Sequence, residues 1–226
     1  MPTPTPDIAL VCFDWGGVIL RICRDWREAC AAAGIEVRPG SEGGESAPRR
    51  REVVQAHQEG RIAFEDYTRA LADAFDNLYT ADEIARVHDA WLLHEYDGVA
   101  DLVAQLHDAP AARGVRTALL SNTNERHLTR GLAPALGGLG HFPTAHTLHH
   151  CFYSNRVGHS KPGRAFYEAL TKHAEVEPRR TLFFDDLAEN IQTARGLGWN
   201  AVHIDPHADT AAQIRAALRE HGVMGT

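Results

Sequence analysis

Five short apolar runs punctuate the chain: Ile8 to Phe13, Val115 to Leu120, roughly His150 to Tyr153, Leu182 to Phe184 and Ala201 to Ile204. Their continuous, non-alternating character suits strands buried on both faces, as in a parallel sheet. Stretches with helical spacing separate them: Asn124 to Leu132 after the second run, Gly163 to His173 after the third, Leu187 to Leu197 after the fourth, and Thr210 to Glu220 after the fifth. This alternation predicts an α/β fold with a doubly wound, Rossmann-like parallel sheet.

The first interval breaks the rhythm. Only Gly98 to His107 is needed as a crossover helix between the first two runs, so the rest is excess chain and predicts an inserted helical subdomain. Its helical patterns are Asp25 to Ala33, Glu52 to Gln58, Phe64 to Phe75 and Ala81 to His94. The stretch RPGSEGGESAPRRR, from Arg38 to Arg51, is rich in Gly, Ser, Pro and charge and reads as a mobile loop within the insertion. The expected division is a core of residues 1–20 and 96–226 and a helical cap of residues 21–95.

Composition narrows the class. Hydrophobic residues at 44% and charged residues at 23% describe an ordinary folded domain. A formal net charge of -7 argues against nucleic acid or an anionic membrane as partner, since both attract basic surfaces. The opening Met-Pro-Thr-Pro-Thr-Pro-Asp carries neither a basic nor an apolar leader region, and no apolar run approaches membrane-spanning length, so a cytoplasmic location is expected. Cys12, Cys23, Cys30 and Cys151 form no CxxC pair and read as reduced, mostly buried thiols.

Candidate chemistry gathers at the ends of the apolar runs, where open α/β sheets build their sites. The first ends in Phe13-Asp14-Trp15-Gly16-Gly17-Val18; Asp14 there is either a functional carboxylate or part of a turn. The second ends in Leu120-Ser121-Asn122-Thr123-Asn124, a hydroxyl and backbone N–H groups suited to an anion, or to ordinary helix capping by Ser121 or Asn122. In Ser160-Lys161-Pro162-Gly163 a lysine precedes a helix expected to hold the proline in its first turn; the plain alternative is a solvated surface lysine. The fourth run ends in Phe184-Asp185-Asp186-Leu187, with Asn190 a helical turn beyond. Adjacent carboxylates repel unless a cation lies between them, which favours a hard-metal site.

The ordered set of Asp, Ser, Lys and Asp-Asp resembles the four motifs of the haloacid-dehalogenase-like superfamily, from about Ile8 to Pro206. Within it, Phe13-Asp14-x-Gly16-x-Val18-Ile19, Glu59-Gly60-x-Ile62, Leu120 to Asn124 and Phe183-Phe184-Asp185-Asp186-x-x-x-Asn190 are similar to the sugar-phosphate phosphatases related to α-glucose-1-phosphatase. The resemblance implies that Asp14 attacks phosphorus and forms an aspartyl-phosphate. It implies that Ser121 and the N–H of Asn122 hold phosphate oxygens and that Lys161 neutralises charge. It further implies a Mg²⁺ held by Asp14, the Gly16 carbonyl and Asp186, reached by Asp185 through water and supported by Asn190.

One departure from the pattern matters. Most phosphatases of the superfamily carry a second Asp two residues after the nucleophile as general acid and base, and here that position is Gly16. Two rival readings follow: a metal-free 2-haloacid dehalogenase, and a non-catalytic relative that binds a phosphorylated ligand or a partner protein. The acidic pair opposes the first, because a metal-free site offers no cation to balance Asp185 and Asp186. His141, His146, His149, His150 and His159 raise the question of a transition metal but show no pairing pattern. His159 and Arg156 are candidate substrate contacts, as are Trp15, Arg24, Asp25, Trp26 and Arg61 in or near the insertion. A small phosphorylated molecule is the expected partner.

Overall fold

The computed structural model describes residues 8–108, 112, 114–131, 134 and 137–225. The chain begins with β1 (Leu10–Phe13) and β2 (Leu20–Ile22), followed by α1 (Trp26–Ala33), α2 (Ala47–Gln58), α3 (Phe64–Ala74), α4 (Ala81–Asp89) and β3 (Leu92–Glu95). It continues through α5 (Val99–Asp108), β4 (Arg116–Ser121), α6 (Glu125–Gly131), β5 (His150–Tyr153), α7 (Ser154–Val157) and α8 (Arg164–Ala174). It closes with β6 (Thr181–Asp185), α9 (Ala188–Gly196), β7 (Asn200–His203) and α10 (Thr210–Glu220). The expected helix ending at Leu132 is α6; Leu132 and the opening residues 1–7 lie outside the described residues.

All five expected strands join one parallel sheet in the order β5-β4-β1-β6-β7. The chain winds outward from β1 in both directions, so the carboxyl end of β1 lies at the topological switch point. Successive side chains point to opposite faces of a strand, and here both faces are covered. Val11, Phe13, Leu119, Leu182 and Phe184 face Leu102 and Leu106 of α5 and Ile214 and Leu218 of α10. Leu10, Cys12, Ala118, Leu120 and Phe183 face Phe166, Tyr167 and Leu170 of α8 and Ile191 and Ala194 of α9.

The insertion between β1 and β4 has its own apolar core, including Cys30, Tyr67, Leu71, Phe75, Tyr79, Ile84 and Val87. Two details differ from the sequence expectation. The helix expected over Ala81 to His94 ends at Asp89, because Leu92–Glu95 pairs antiparallel with Leu20–Ile22 at the root of the insertion. A strand this short is set by its partner far away in sequence, so local spacing could not show it. The stretch read as a mobile loop over 38–51 also carries the first turn of α2, begun at Ala47 with Pro48 in the opening turn. Arg50 stacks over Phe75 at 4.7 Å, and Arg38 pairs with Glu83 and covers the Tyr79 ring.

The insertion meets the sheet domain at a buried histidine cluster. His88 of α4 stacks on His127 of α6 at 3.9 Å between ring centroids, and His57 of α2 stacks on Tyr67 of α3 at 4.3 Å. Asn124 Nδ2 lies 3.1 Å from His88 Nε2 and 3.3 Å from His127 Nδ1, while His127 Nε2 lies 2.9 Å from the His88 carbonyl. The amide can donate only to unprotonated nitrogens, so this network assigns neutral tautomers to both rings. Asn124 Oδ1 accepts from His127 N at 3.0 Å and caps α6, the role the sequence offered to Ser121 or Asn122.

Burial lowers the pKa of His57, His88 and His127 from an ordinary 6.5, His127 most strongly. At these residues the unfolded chain then binds more protons than the folded one below that value, so their contribution to stability is complete above about pH 6.5 and is lost as pH falls below it. Each pH unit costs about 1.4 kcal/mol for every histidine still neutral when folded. The raised carboxyls of Asp14 and Asp186 act with the opposite sign over this range, so the contribution is read by comparison: between pH 7.5 and 5 the melting temperature of the parent should fall relative to that of His127→Phe. A difference between the two proteins that does not change with pH would contradict the assignment.

Candidate active site

The site is assembled where β1, β4 and β6 end. Asp14 follows β1 and is 8% exposed; its N–H donates to the Phe184 carbonyl at 2.9 Å, and Trp15 N donates to Asp14 Oδ1 at 2.7 Å. Ser121 ends β4 and Asp185 ends β6, both buried. Lys161 reaches into this group from the loop before α8, its Nζ 2.8 Å from Asp14 Oδ1 and 2.7 Å from Asp185 Oδ2. Pro162 precedes α8, which starts at Arg164 with Gly163 as its cap, so the proline lies outside the helix rather than in its first turn.

The two adjacent aspartates differ in their surroundings. Asp185 is fully buried and accepts from Lys161 Nζ, from Leu187 N at 2.8 Å and from Asn190 Nδ2 at 2.9 Å. The lysine therefore supplies a cation for Asp185, and the argument that a metal-free site must leave both carboxylates unbalanced holds only for Asp186. Asp186 is half-buried, and among the described residues no cation pairs with its side chain. It lies opposite Gly17, whose φ is +78° and where a Cβ would come within 2.3 Å of the carboxylate. Only glycine combines that backbone conformation with that approach.

Asp14, Asp185 and Asp186 offer oxygens within 4.8 Å of one another. Three carboxylates here share one ammonium. Burial works against the charge of Lys161, but Asp14 and Asp185 outweigh it and hold the ammonium protonated. Burial pushes Asp14 up to about 8 against the pull of Lys161, with Asp185 and Asp186 adding to the rise. Burial and the Asp185 charge likewise push Asp186 up to about 6.

Asn122 does something its sequence position did not announce. Its Oδ1 accepts from Lys161 N and its Nδ2 donates to Lys161 O, both at 2.8 Å, so the loop after β4 clamps the lysine's own peptide. The other candidates are dispersed. Asp25 caps α1 through Glu28 N, and Trp26 packs on Phe75 and Tyr79. Trp15 is buried against Phe142 and His146, and Arg24 N donates to Glu28. Arg156 pairs with Glu125 at 2.8 Å and Arg61 with Glu59 at 3.0 Å. Of the five candidate histidines, His146 contacts Tyr153, His149 contacts Thr117 and His150 packs on His173; the acidic triad is the only metal-competent cluster among the described residues.

A doubly wound α/β sheet thus carries a buried carboxylate-lysine-carboxylate site at its switch point, and sequence comparison specifies the family. A family model described as haloacid dehalogenase-like hydrolase matches residues 8–198, and the chain belongs to that family. It is 25% identical over 214 residues to D-ribitol-5-phosphate phosphatase of Bacteroides thetaiotaomicron, covering 92% of this chain and 97% of the relative. A HAD-like family hydrolase from Porphyromonas gingivalis has the same fold, with a TM-score of 0.70 at 22% identity over 94% of this chain and 98% of its own. A HAD family enzyme from Bacteroides thetaiotaomicron, solved with magnesium and inorganic phosphate, superposes with a TM-score of 0.66 at 18% identity, covering 89% of this chain and 96% of its own.

The contrast between the two aspartates is measurable by urea denaturation. Asp185→Ala leaves Lys161, Leu187 N and Asn190 without their shared acceptor and should cost about 3–5 kcal/mol. Asp186→Ala relieves repulsion and should leave stability within about 1 kcal/mol of the parent. Equal losses would contradict the division of roles.

Proposed function

We propose that the chain is a Mg²⁺-dependent phosphatase of small phosphomonoesters, sugar or polyol phosphates, working through an aspartyl-phosphate on Asp14. The observation that carries this reading is the buried Lys161 ammonium spanning Asp14 and Asp185, with Asp186 left open beside them. The phosphatase relative and the neighbour crystallised with magnesium and phosphate support it.

In this reading Asp14 attacks phosphorus as the ester oxygen departs, and water then cleaves the acyl phosphate, restoring Asp14 and releasing inorganic phosphate. Ser121 and Asn122 N–H hold phosphoryl oxygens, and Lys161 offsets the negative charge gathered around Asp14. An all-oxygen donor set fits a hard divalent cation. Asp14, the Gly16 carbonyl and Asp186 would hold Mg²⁺, with Asp185 outside the direct set because its oxygens already serve Lys161, Leu187 N and Asn190. Bound Mg²⁺ would supply positive charge between nucleophile and substrate. Residues 21–95 act as the cap over residues 1–20 and 96–226. The four free thiols support a reducing, cytoplasmic setting.

A panel of sugar and polyol phosphates, ribitol 5-phosphate among them, should be hydrolysed with Mg²⁺ and not with EDTA, and Asp14→Asn should abolish turnover while keeping the parent's circular dichroism. Activity unchanged by EDTA or by Asp14→Asn would overturn the reading. Because protons compete with the metal for Asp186 up to about pH 6 and for Asp14 up to about pH 8, apparent Mg²⁺ affinity should rise from pH 5 to 8.

Gly16 generates a second expectation. With no acid at this position, the rate of the chemical step should depend steeply on leaving-group acidity, and sugar 1-phosphates should exceed the matching 6-phosphates in kcat/KM. The atoms nearest a Cβ at position 16 belong to the Ile22 side chain, whose flexible end, 2.8 Å away, can shift to admit it in Gly16→Asp. That variant should flatten the dependence across an aryl-phosphate series. A dependence already flat in the parent would show that another group supplies the proton.

A further inference from the structure

The insertion and the sheet domain are joined by polar contacts that converge on the loops carrying Ser121 and Lys161. Ser154 Oγ is fully buried and donates toward the Gln58 carbonyl at 2.6 Å and the Thr123 carbonyl at 3.1 Å. Beside it Gly60 has a φ of +68°, and a Cβ there would lie 2.4 Å from the Asn155 carbonyl, so the turn after α2 sits directly on α7. Between these two contacts lies Glu59. Its Oε1 accepts from Ser160 Oγ at 2.6 Å, and the side chain is 14% exposed. Gln55 Nε2 and Arg61 Nε also donate to it, at 2.9 and 3.0 Å.

Ser160 is 6% exposed and immediately precedes Lys161. Its carbonyl accepts from Gly163 N at 2.9 Å, closing a tight turn around the lysine. The Lys161 peptide is thus held on one side by Asn122 and on the other, through the Ser160 hydroxyl, by a carboxylate belonging to the insertion. Burial disfavours a charged Glu59, but the donors from Ser160, Gln55 and Arg61 outweigh it and hold its carboxyl below the usual range.

We propose that Glu59 is a positioning residue: through Ser160 it sets the Lys161 ammonium against Asp14 and makes catalysis depend on the seating of the insertion. An ammonium bridging two carboxylates at 2.7 and 2.8 Å tolerates little displacement, because its contribution to a charged transition state falls with geometry faster than its contribution to substrate binding. No other carboxylate among the described residues bonds the loop just before Lys161. The inference rests on the phosphatase reading for its kinetic arm and on the fold alone for its structural arm.

The test combines steady-state kinetics on a hydrolysed sugar phosphate with hydrogen exchange of the 158–163 segment. Glu59→Ala and Ser160→Ala should each lower kcat about tenfold or more with KM changed by less than about twofold. The double variant should be no worse than either single one, because both remove the same link. Glu59→Gln keeps an acceptor for the Ser160 hydroxyl and should recover most of the rate. Exchange over 158–163 should rise in Glu59→Ala and Ser160→Ala and stay at the parent level in Glu59→Gln. A merely structural role would lower melting temperature without that kcat selectivity and would overturn the proposal. If the parent hydrolyses no phosphate ester, the phosphatase reading fails separately, and unchanged exchange over 158–163 in Glu59→Ala would then overturn the positioning role on its own.

Discussion

A single buried ammonium, that of Lys161, stands between Asp14 and Asp185, and much of the surrounding architecture serves to keep it there. Two carboxylates and a lysine removed from water are costly unless each charge is matched in geometry and each remaining lone pair finds a donor. The fold meets that condition with Trp15 N on Asp14, with Leu187 N and Asn190 on Asp185, and with Asn122 clamping the lysine's peptide at both its N–H and its carbonyl. The strands provide the platform: β1, β4 and β6 are adjacent and end together, so residues distant in sequence meet without a long loop.

The same electrostatics separate the two members of the acidic pair. Asp185 spends its oxygens on protein donors and belongs to the framework, while Asp186, beside the glycine at position 17, keeps its carboxylate available. With three carboxylates and one lysine, the cluster carries negative charge that either protons or a divalent cation offset. The insertion is tied to this site rather than merely adjacent to it. Its contacts through Glu59 and His88 fall on Ser160 and Asn124, close in sequence to Lys161 and Ser121, and its contact through Gln58 falls on Ser154, which bonds Thr123 in the loop after Ser121.

What could be read from the sequence follows the range of the forces involved. The five sheet strands were legible because strands covered on both faces need unbroken apolar runs, and Asp14, Ser121, Lys161 and Asp185 were legible because they terminate or follow those runs. The β2–β3 pair was not, since Leu92–Glu95 takes its conformation from Leu20–Ile22 across the whole insertion. Nor was the start of α2, where Pro48 signalled a helix but the surrounding Gly, Ser and Arg residues signalled a loop. Asn122 was marked for its backbone N–H while its side chain holds Lys161, a pairing that no spacing rule reveals. The histidines show the same limit: the group concentrated in sequence between His141 and His159 forms no metal-competent cluster among the described residues, whereas His57, His88 and His127, remote in sequence, pack together because packing between helices chooses neighbours.

The central claim is that Asp14 becomes covalently phosphorylated. Rapid acid quenching during turnover of a sugar phosphate with Mg²⁺, followed by borohydride reduction and peptide mapping, reads this directly, because hydride converts an aspartyl-phosphate to homoserine and leaves a free aspartate untouched. The account predicts homoserine at position 14 and at no other carboxylate, appearing only when substrate and Mg²⁺ are both present. Active turnover with Asp14 unmodified, or with the conversion at Asp185 or Asp186 instead, would contradict it.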